Sequence, residues 1–117
     1  MHKRREEAER LGIYGFGIWT GNEMVGTVNL SPDAGGSTGE VGYWVGEQYT
    51  GHGYAGRATQ ALVKYAFEQL TPELLYAEVA IGNIASRKTL EKSGFRFVDK
   101  GKSHWYFEIN KPAISTA

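Results

Sequence analysis

Three glycines, Gly51, Gly53 and Gly56, separate a strand pattern from a helix pattern, and this junction constrains the fold more than any other feature of the chain. The strand pattern is Glu40-Val-Gly-Tyr-Trp-Val45, and the junction reads Tyr49-Thr-Gly-His-Gly-Tyr-Ala-Gly-Arg-Ala58. A helical apolar stripe follows at Leu62, Tyr65, Ala66 and Leu70, widened by Val63 and Phe67. Pro72 stops it, and Leu75-Tyr-Ala-Glu-Val-Ala80 reads as the next strand. The step from Glu40 to Ala80 is therefore a parallel β-α-β crossover of right-handed sense. The junction also has a chemical reading. Glycines let several backbone N–H groups face one point, and a helix N-terminus adds roughly half a positive charge, so the site suits a pyrophosphate. A glycine turn before a helix is equally often only a turn. It is not a Walker A loop, because no Gly-Lys-Ser/Thr follows, and it is not G-x-G-x-x-G.

Composition removes several function classes. A chain of 117 residues with 41% hydrophobic and 13% aromatic residues holds one domain with one packed core, residues 1–117. Lys+Arg and Asp+Glu are equal at 13 each, so the global charge favours neither nucleic acid nor an anionic membrane. The absence of cysteine excludes disulfides, thiolate metal sites and a cysteine nucleophile. The three histidines are scattered, and no metal is expected. No apolar run approaches the ~20 residues of a membrane span. The N-terminus has no apolar signal-peptide core, which makes a cytoplasmic location the expectation.

The remaining elements follow from pattern. Lys3 to Leu11 is rich in charged helix formers and reads as an exposed N-terminal helix within residues 1–12, ending at Gly12. Tyr14 to Thr20 alternates, with Tyr14, Phe16 and Ile18 on one face. Met24 to Leu30 alternates with Met24, Val28 and Leu30 on one side, and Gly21-Asn-Glu23 is the hairpin turn between them. Ser31 to Gly39 is a loop by composition, and the first-described helix runs from Ala58 to Leu70. Asn83 to Ser93 is a second helix, with Asn83 as N-cap and Gly94 as the left-handed residue after its end. Phe95 to Val98 and His104 to Ile109 form a closing hairpin around Lys100-Gly101, and residues 111–117 are a flexible tail. The order predicts an α+β fold: a mixed, mostly antiparallel sheet with a central parallel crossover and helices packed on it.

The junction resembles motif A of the GNAT acetyltransferases, written Gln/Arg-x-x-Gly-x-Gly/Ala, which here reads Thr50-Gly-His-Gly-Tyr-Ala55. Gly53 and Ala55 match, and Thr50 departs from the Gln or Arg of the first position. Gly39-Glu-Val-Gly-Tyr-Trp-Val-Gly46 is similar to the fourth strand of the branch that acetylates ribosomal-protein N-termini. Asn83-Ile-Ala-Ser86, continuing to Gly94-Phe95, is similar to that branch's fifth-strand exit and fourth helix. The resemblance spans about residues 13–110.

The resemblance implies a GNAT-like acyl-CoA N-acyltransferase fold and acetyl-CoA as co-substrate. Backbone amides of Gly51, His52, Gly53, Tyr54, Ala55 and Gly56 would hold the pyrophosphate. The backbone near Val45 would bond the pantetheine arm like an added strand, and Asn83 and Ser86 would touch the arm from the far side. Arg57 and Lys88 are candidates for the outer phosphate, against the plainer reading of solvated charges. Asn83 is also simply an N-cap. Glu40 is the general-base candidate, since an acceptor ammonium must lose a proton before it attacks a thioester. Its plain reading is a strand-end carboxylate, and Glu78 stands second. The tyrosine that many members carry on the fourth helix is replaced by Leu90, which leaves Ser86 or water to protonate the thiolate. His52 reads as a phosphate or solvent contact, while His104, Trp105, Tyr43 and Trp44 read as packing, with one of the last two bordering the acyl pocket.

By this resemblance the function is an N-acetyltransferase acting on a protein N-terminal amine or a small amine by direct attack. The alternative is a non-catalytic acyl-CoA-binding module or an acetyltransferase remnant. By the resemblance, a strand and two helices would stand before Lys3. The chain is therefore expected to lack the usual first strand and helix, either as a fragment or as a naturally short member. Tyr14 to Thr20 is then expected to be an uncovered edge strand, open to pairing in a homodimer.

Overall fold

The computed structural model describes residues 14–112 and the backbone of His2–Lys3. Among the described residues, seven strands form one sheet: β1 His2–Lys3, β2 Tyr14–Thr20, β3 Glu23–Pro32, β4 Thr38–Val45, β5 Leu74–Ala80, β6 Arg96–Lys100 and β7 His104–Asn110, in the spatial order β1-β2-β3-β4-β5-β7-β6. Of these described strands, β4 and β5 pair in parallel and the other neighbouring pairs are antiparallel. Helix α1, Tyr54–Tyr65, continues as a π-helical turn over Ala66–Leu70, and helix α2 covers Ile84–Lys92.

Both helices pack on the same face of the sheet. That face presents Phe16, Ile18, Val28, Leu30, Val41, Leu75, Ala77, Val79 and Phe107, which join Ala58, Leu62, Val63 and Ala66 of α1 and Leu90 of α2 in one core. The registers Phe16↔Val28, Leu30↔Val41 and Ala77↔Phe107 put these side chains in phase. The other face carries Asn29, Ser31, Glu40, Trp44, Tyr76 and Glu78 by the same alternation. Among the described residues, no helix is long and apolar enough to cross a membrane.

Four local expectations are corrected. Met24 does not share the core side with Val28: it is 41% exposed, whereas Val25 is 1% exposed. The pairs Ile18↔Gly26 and Trp19↔Met24 leave Val25 as the extra residue of a β-bulge, and a bulge reverses the alternation. Helix α1 starts at Tyr54, four residues before Ala58, because Gly53 caps it and Gly56 already lies in its first turn. The outer edge of β2 is not bare, since His2 pairs with Gly17 and Lys3 with Phe16. That pairing also places His2–Lys3 in a strand rather than a helix, and residues 4–13 of the expected helix lie outside the described residues. Lys111, the first tail residue, donates its N–H to the Glu73 carbonyl at 2.9 Å, and residues 113–117 lie outside the described part.

Candidate active site

Strands β4 and β5 pair only from Thr38 to Glu40, opposite Leu74 to Tyr76. Beyond that point Val41–Val45 stays with β3, and Ala77–Ala80 stays with β7. The two strands therefore part like the arms of a V. The backbone polar groups of β4 that face the gap have no ladder partner, which leaves them open to an extended ligand.

The gap opens into a cleft of about 650 Å³, a volume in the range of small-molecule sites. Its walls are the end of β4 (Tyr43, Trp44 and Val45), the junction before α1, and one side of α2. Of the residues singled out in the sequence, Val45, Gly51, Gly53, Tyr54, Ala55, Gly56, Arg57, Asn83, Ser86 and Lys88 line it. Segments nearly forty residues apart in sequence therefore face one another.

The junction is shaped for an anion. Gly51 and Gly53 take φ of 83° and 77°, the left-handed region where a Cβ is strained. Gly53 is the N-cap of α1, and the helix's first intrahelical bond runs from Arg57 N–H to the Gly53 carbonyl at 3.1 Å. The N–H groups of Tyr54, Ala55 and Gly56 come before that bond and have no intrahelical acceptor. A Cβ built on Gly51 or Gly56 would meet no atom within 4 Å, so the surface around these amides is open. Arg57 and Lys88 face the cleft from the two helices, joined by Lys92 and Gln60, which were not anticipated. None of the three cations has an ion-pair partner among the described residues, although Arg57 stands 5.4 Å from the Tyr54 ring. Open amides and unpaired cations around one cleft fit a ligand carrying several phosphates.

On the opposite wall, the Asn83 side chain accepts from Ser86 N–H at 3.1 Å and caps α2 as its sequence position foretells. Ser86 is half-buried, and its Oγ is hydrogen-bonded to the Tyr43 hydroxyl, which also donates to the Ser86 carbonyl at 3.1 Å. Tyr43 is thus more than sheet packing: it joins β4 to α2 across the gap. Burial holds its phenol above the ordinary pKa, against the opposing pull of the nearby Ser86 and Thr89 hydroxyls. No sequence pattern marks this role, because a tyrosine on a strand reads as packing until the partner helix is placed.

Two expected residues stand off the cleft wall. His52 is exposed in the junction and lies against Tyr54, with ring centroids 5.6 Å apart. Glu40 sits at the apex of the V, on the sheet face away from the helices, with Glu78 further along β5 on the same face. Burial, then the charges of Glu78 and Asp33, raise the Glu40 pKa. A raised carboxyl is a stronger base once ionised. Leu90, where the resemblance would place a tyrosine, is fully buried and belongs to the core.

Comparison with known proteins agrees with this geometry. Residues 1–96 match the family described as Acetyltransferase (GNAT) domain. The chain is 34% identical over 95 residues to the Probable N-acetyltransferase YjcK of Bacillus subtilis (strain 168), covering 78% of this chain and 52% of that protein. It is 32% identical over 108 residues to the Putative ribosomal N-acetyltransferase YdaF of the same organism, covering 92% and 57%. The chain thus spans about half the length of these curated relatives. Among solved structures, an acetyltransferase (GNAT family) from Bacillus anthracis superposes with a TM-score of 0.78 at 28% identity, over 83% of this chain and 66% of that one. Mycobacterium smegmatis RimJ in complex with CoA-disulfide superposes with a TM-score of 0.82 at 26% identity, over 91% and 56%. On its splayed sheet, its glycine junction and these matches, the chain belongs to the GNAT acetyltransferase family.

Proposed function

We propose that this domain binds acetyl-CoA in the β4–β5 cleft and takes part in moving its acetyl group to a primary amine. The observation that carries the reading is the junction of open amides at the head of α1, aligned with the unpaired edge of β4 in one cleft. The amides of Gly51 to Gly56 hold the pyrophosphate, with Arg57 and Lys88 toward the outer phosphate. The edge of β4 near Val45 holds the pantetheine arm, with Asn83 and Ser86 on its other side. When bound, the coenzyme supplies an acetyl group activated as a thioester. Backbone N–H groups on the open edge of β4 polarise the carbonyl under attack. Glu40 takes the proton of the acceptor ammonium, directly or through water, and Ser86 gives a proton to the departing sulfur. The acceptor is a protein N-terminal amine, as the resemblance to the ribosomal-protein branch implies, or a small amine; the YdaF relative carries the name of a ribosomal N-acetyltransferase.

A second reading is an acyl-CoA-binding module without turnover. The buried Leu90 favours it, because no phenol stands at that position of α2. Calorimetric titration with acetyl-CoA, followed by thiol release with a panel of amines and peptide N-termini, separates the two. Binding with acceptor-dependent release supports the transferase. Binding without release supports the module, and no binding by folded protein removes both.

A further inference from the structure

We propose that Tyr43 and Ser86 act as a two-hydroxyl proton relay at the cleft, with Ser86 as donor to the coenzyme sulfur and Tyr43 as donor to Ser86. The inference rests on the acetyl-CoA reading above and assigns the leaving-group proton to a pair rather than to one side chain.

The argument begins with the hydroxyls that line the cleft. Thr50 Oγ1 donates to the Glu47 carbonyl at 2.9 Å, and Thr89 Oγ1 donates to the Ala85 carbonyl at 3.0 Å. The Tyr49 hydroxyl is bonded to the Glu23 carboxylate. Each of these hydrogens is committed to an acceptor of full or partial negative charge. Tyr54 stands in the junction, at the phosphate end. Tyr43 and Ser86 remain, on the two walls of the gap and bonded to each other.

Their geometry permits two hydrogen arrangements. In one, Tyr43 donates to the Ser86 carbonyl and accepts from Ser86 Oγ, so both hydrogens are used inside the pair. In the other, Tyr43 donates to Ser86 Oγ, and the serine hydrogen is released toward the cleft. Only the second offers a donor, and it is the one a developing thiolate favours. As the C–S bond breaks, the pair first holds the sulfur as a hydrogen-bonded thiolate, with Ser86 donating to sulfur and Tyr43 donating to Ser86. A proton that the sulfur then takes from Ser86 is replaced through Tyr43, which recovers its own from water. Burial keeps the phenol protonated before the step. The Asn83 cap fixes the backbone of Ser86, so the serine's orientation is set by α2 rather than by the ligand.

The test reads the sulfur itself. Protein saturated with CoA is titrated with base, and thiolate absorbance is taken as a difference against protein saturated with desulfo-CoA. The series comprises the parent chain, Tyr43→Phe, Ser86→Ala, the double variant and Ser86→Thr. In the parent, the bound thiol should ionise at least one pH unit below free CoA, a tenfold preference for thiolate. Tyr43→Phe and Ser86→Ala should each lose most of that shift, the double variant no more than Ser86→Ala, and Ser86→Thr should keep it. Loss in Ser86→Ala with full retention in Tyr43→Phe overturns the relay. A parent that binds CoA with an unshifted thiol also overturns the relay but leaves the coenzyme reading standing. A folded parent that does not bind CoA overturns both.

Discussion

Glu40 of β4 stands opposite Tyr76 of β5 on the last rung that the two strands share, and the next residues on each strand diverge to form the cleft. The Tyr76 hydroxyl donates to Asp33 Oδ1 at 3.1 Å, so the same apex gathers Asp33, Glu40 and, further along β5, Glu78. Carboxylates gathered on a partly buried strand end resist ionisation. An ammonium arriving at that apex meets both a favourable field and a proton acceptor. Position and electrostatics are thus in keeping with the base role proposed for Glu40.

Two pH dependences follow for Glu40→Gln. In the parent, the native carboxyl holds its proton to higher pH than the unfolded one, so its contribution to stability falls as pH rises through the native pKa. Glutamine removes that loss. Urea unfolding should show the variant more stable at pH 7, with the difference fading as pH is lowered below the ordinary carboxylate range. In turnover, the variant should lose roughly 10²–10⁴-fold at pH 7, the usual worth of a general base. The deficit should shrink as pH approaches the acceptor's own pKa. Equal pH–rate profiles would remove Glu40 from the mechanism.

Much of this arrangement is legible in the sequence, and what is not has identifiable causes. The glycine junction, the Asn83 cap and the Gly94 exit are local signals, and α2 begins and ends where they stand. The Val25 bulge escapes pattern reading because one inserted residue leaves two plausible alternations. The early start of α1 escapes because Gly56 reads as part of the turn although it lies in the first helical turn, just after the Gly53 cap. Tyr43 escapes for a tertiary reason. Its partner is 43 residues away, and no local pattern reports a hydrogen bond across a gap.

Gly53 tests the anion site without touching a side chain. Its φ of 77° is available to glycine and tolerated by asparagine, but opposed by a β-branched residue. A Cβ there would also approach the Arg57 guanidinium to 3.2 Å. Gly53→Val should abolish CoA binding in calorimetry while the far-ultraviolet circular dichroism stays that of the parent. Gly53→Asn should retain most of the affinity. Full binding by the valine variant would detach the junction from the pyrophosphate.

Thr59 of α1 is fully buried in the core, and its Oγ1 has no hydrogen-bond partner among the described residues. A buried hydroxyl without a partner costs about 1–3 kcal/mol relative to an apolar group of the same shape. Thr59→Val keeps the branched shape and removes the oxygen. Urea denaturation should place the variant about 1 kcal/mol above the parent, with an unchanged m-value. A loss of stability instead would mean that the hydroxyl is satisfied in solution, most simply by a buried water.

Lys88 separates the role of the outer phosphate from general attraction. It lines the cleft from α2 across from Arg57 and is exposed, so its contribution to binding is that of a solvated charge, about 0.2–1 kcal/mol. Lys88→Ala should therefore weaken CoA by up to about fivefold. If the ammonium meets the phosphate on the ribose, the same substitution should change the affinity for dephospho-CoA by less than a factor of about 1.5. Raising the salt should narrow the gap between parent and variant for CoA, because an exposed pair is screened. Equal weakening for both ligands would move Lys88 from the outer phosphate to the general field of the cleft, and Arg57→Ala, read the same way, would then identify whether the other helix supplies the specific contact.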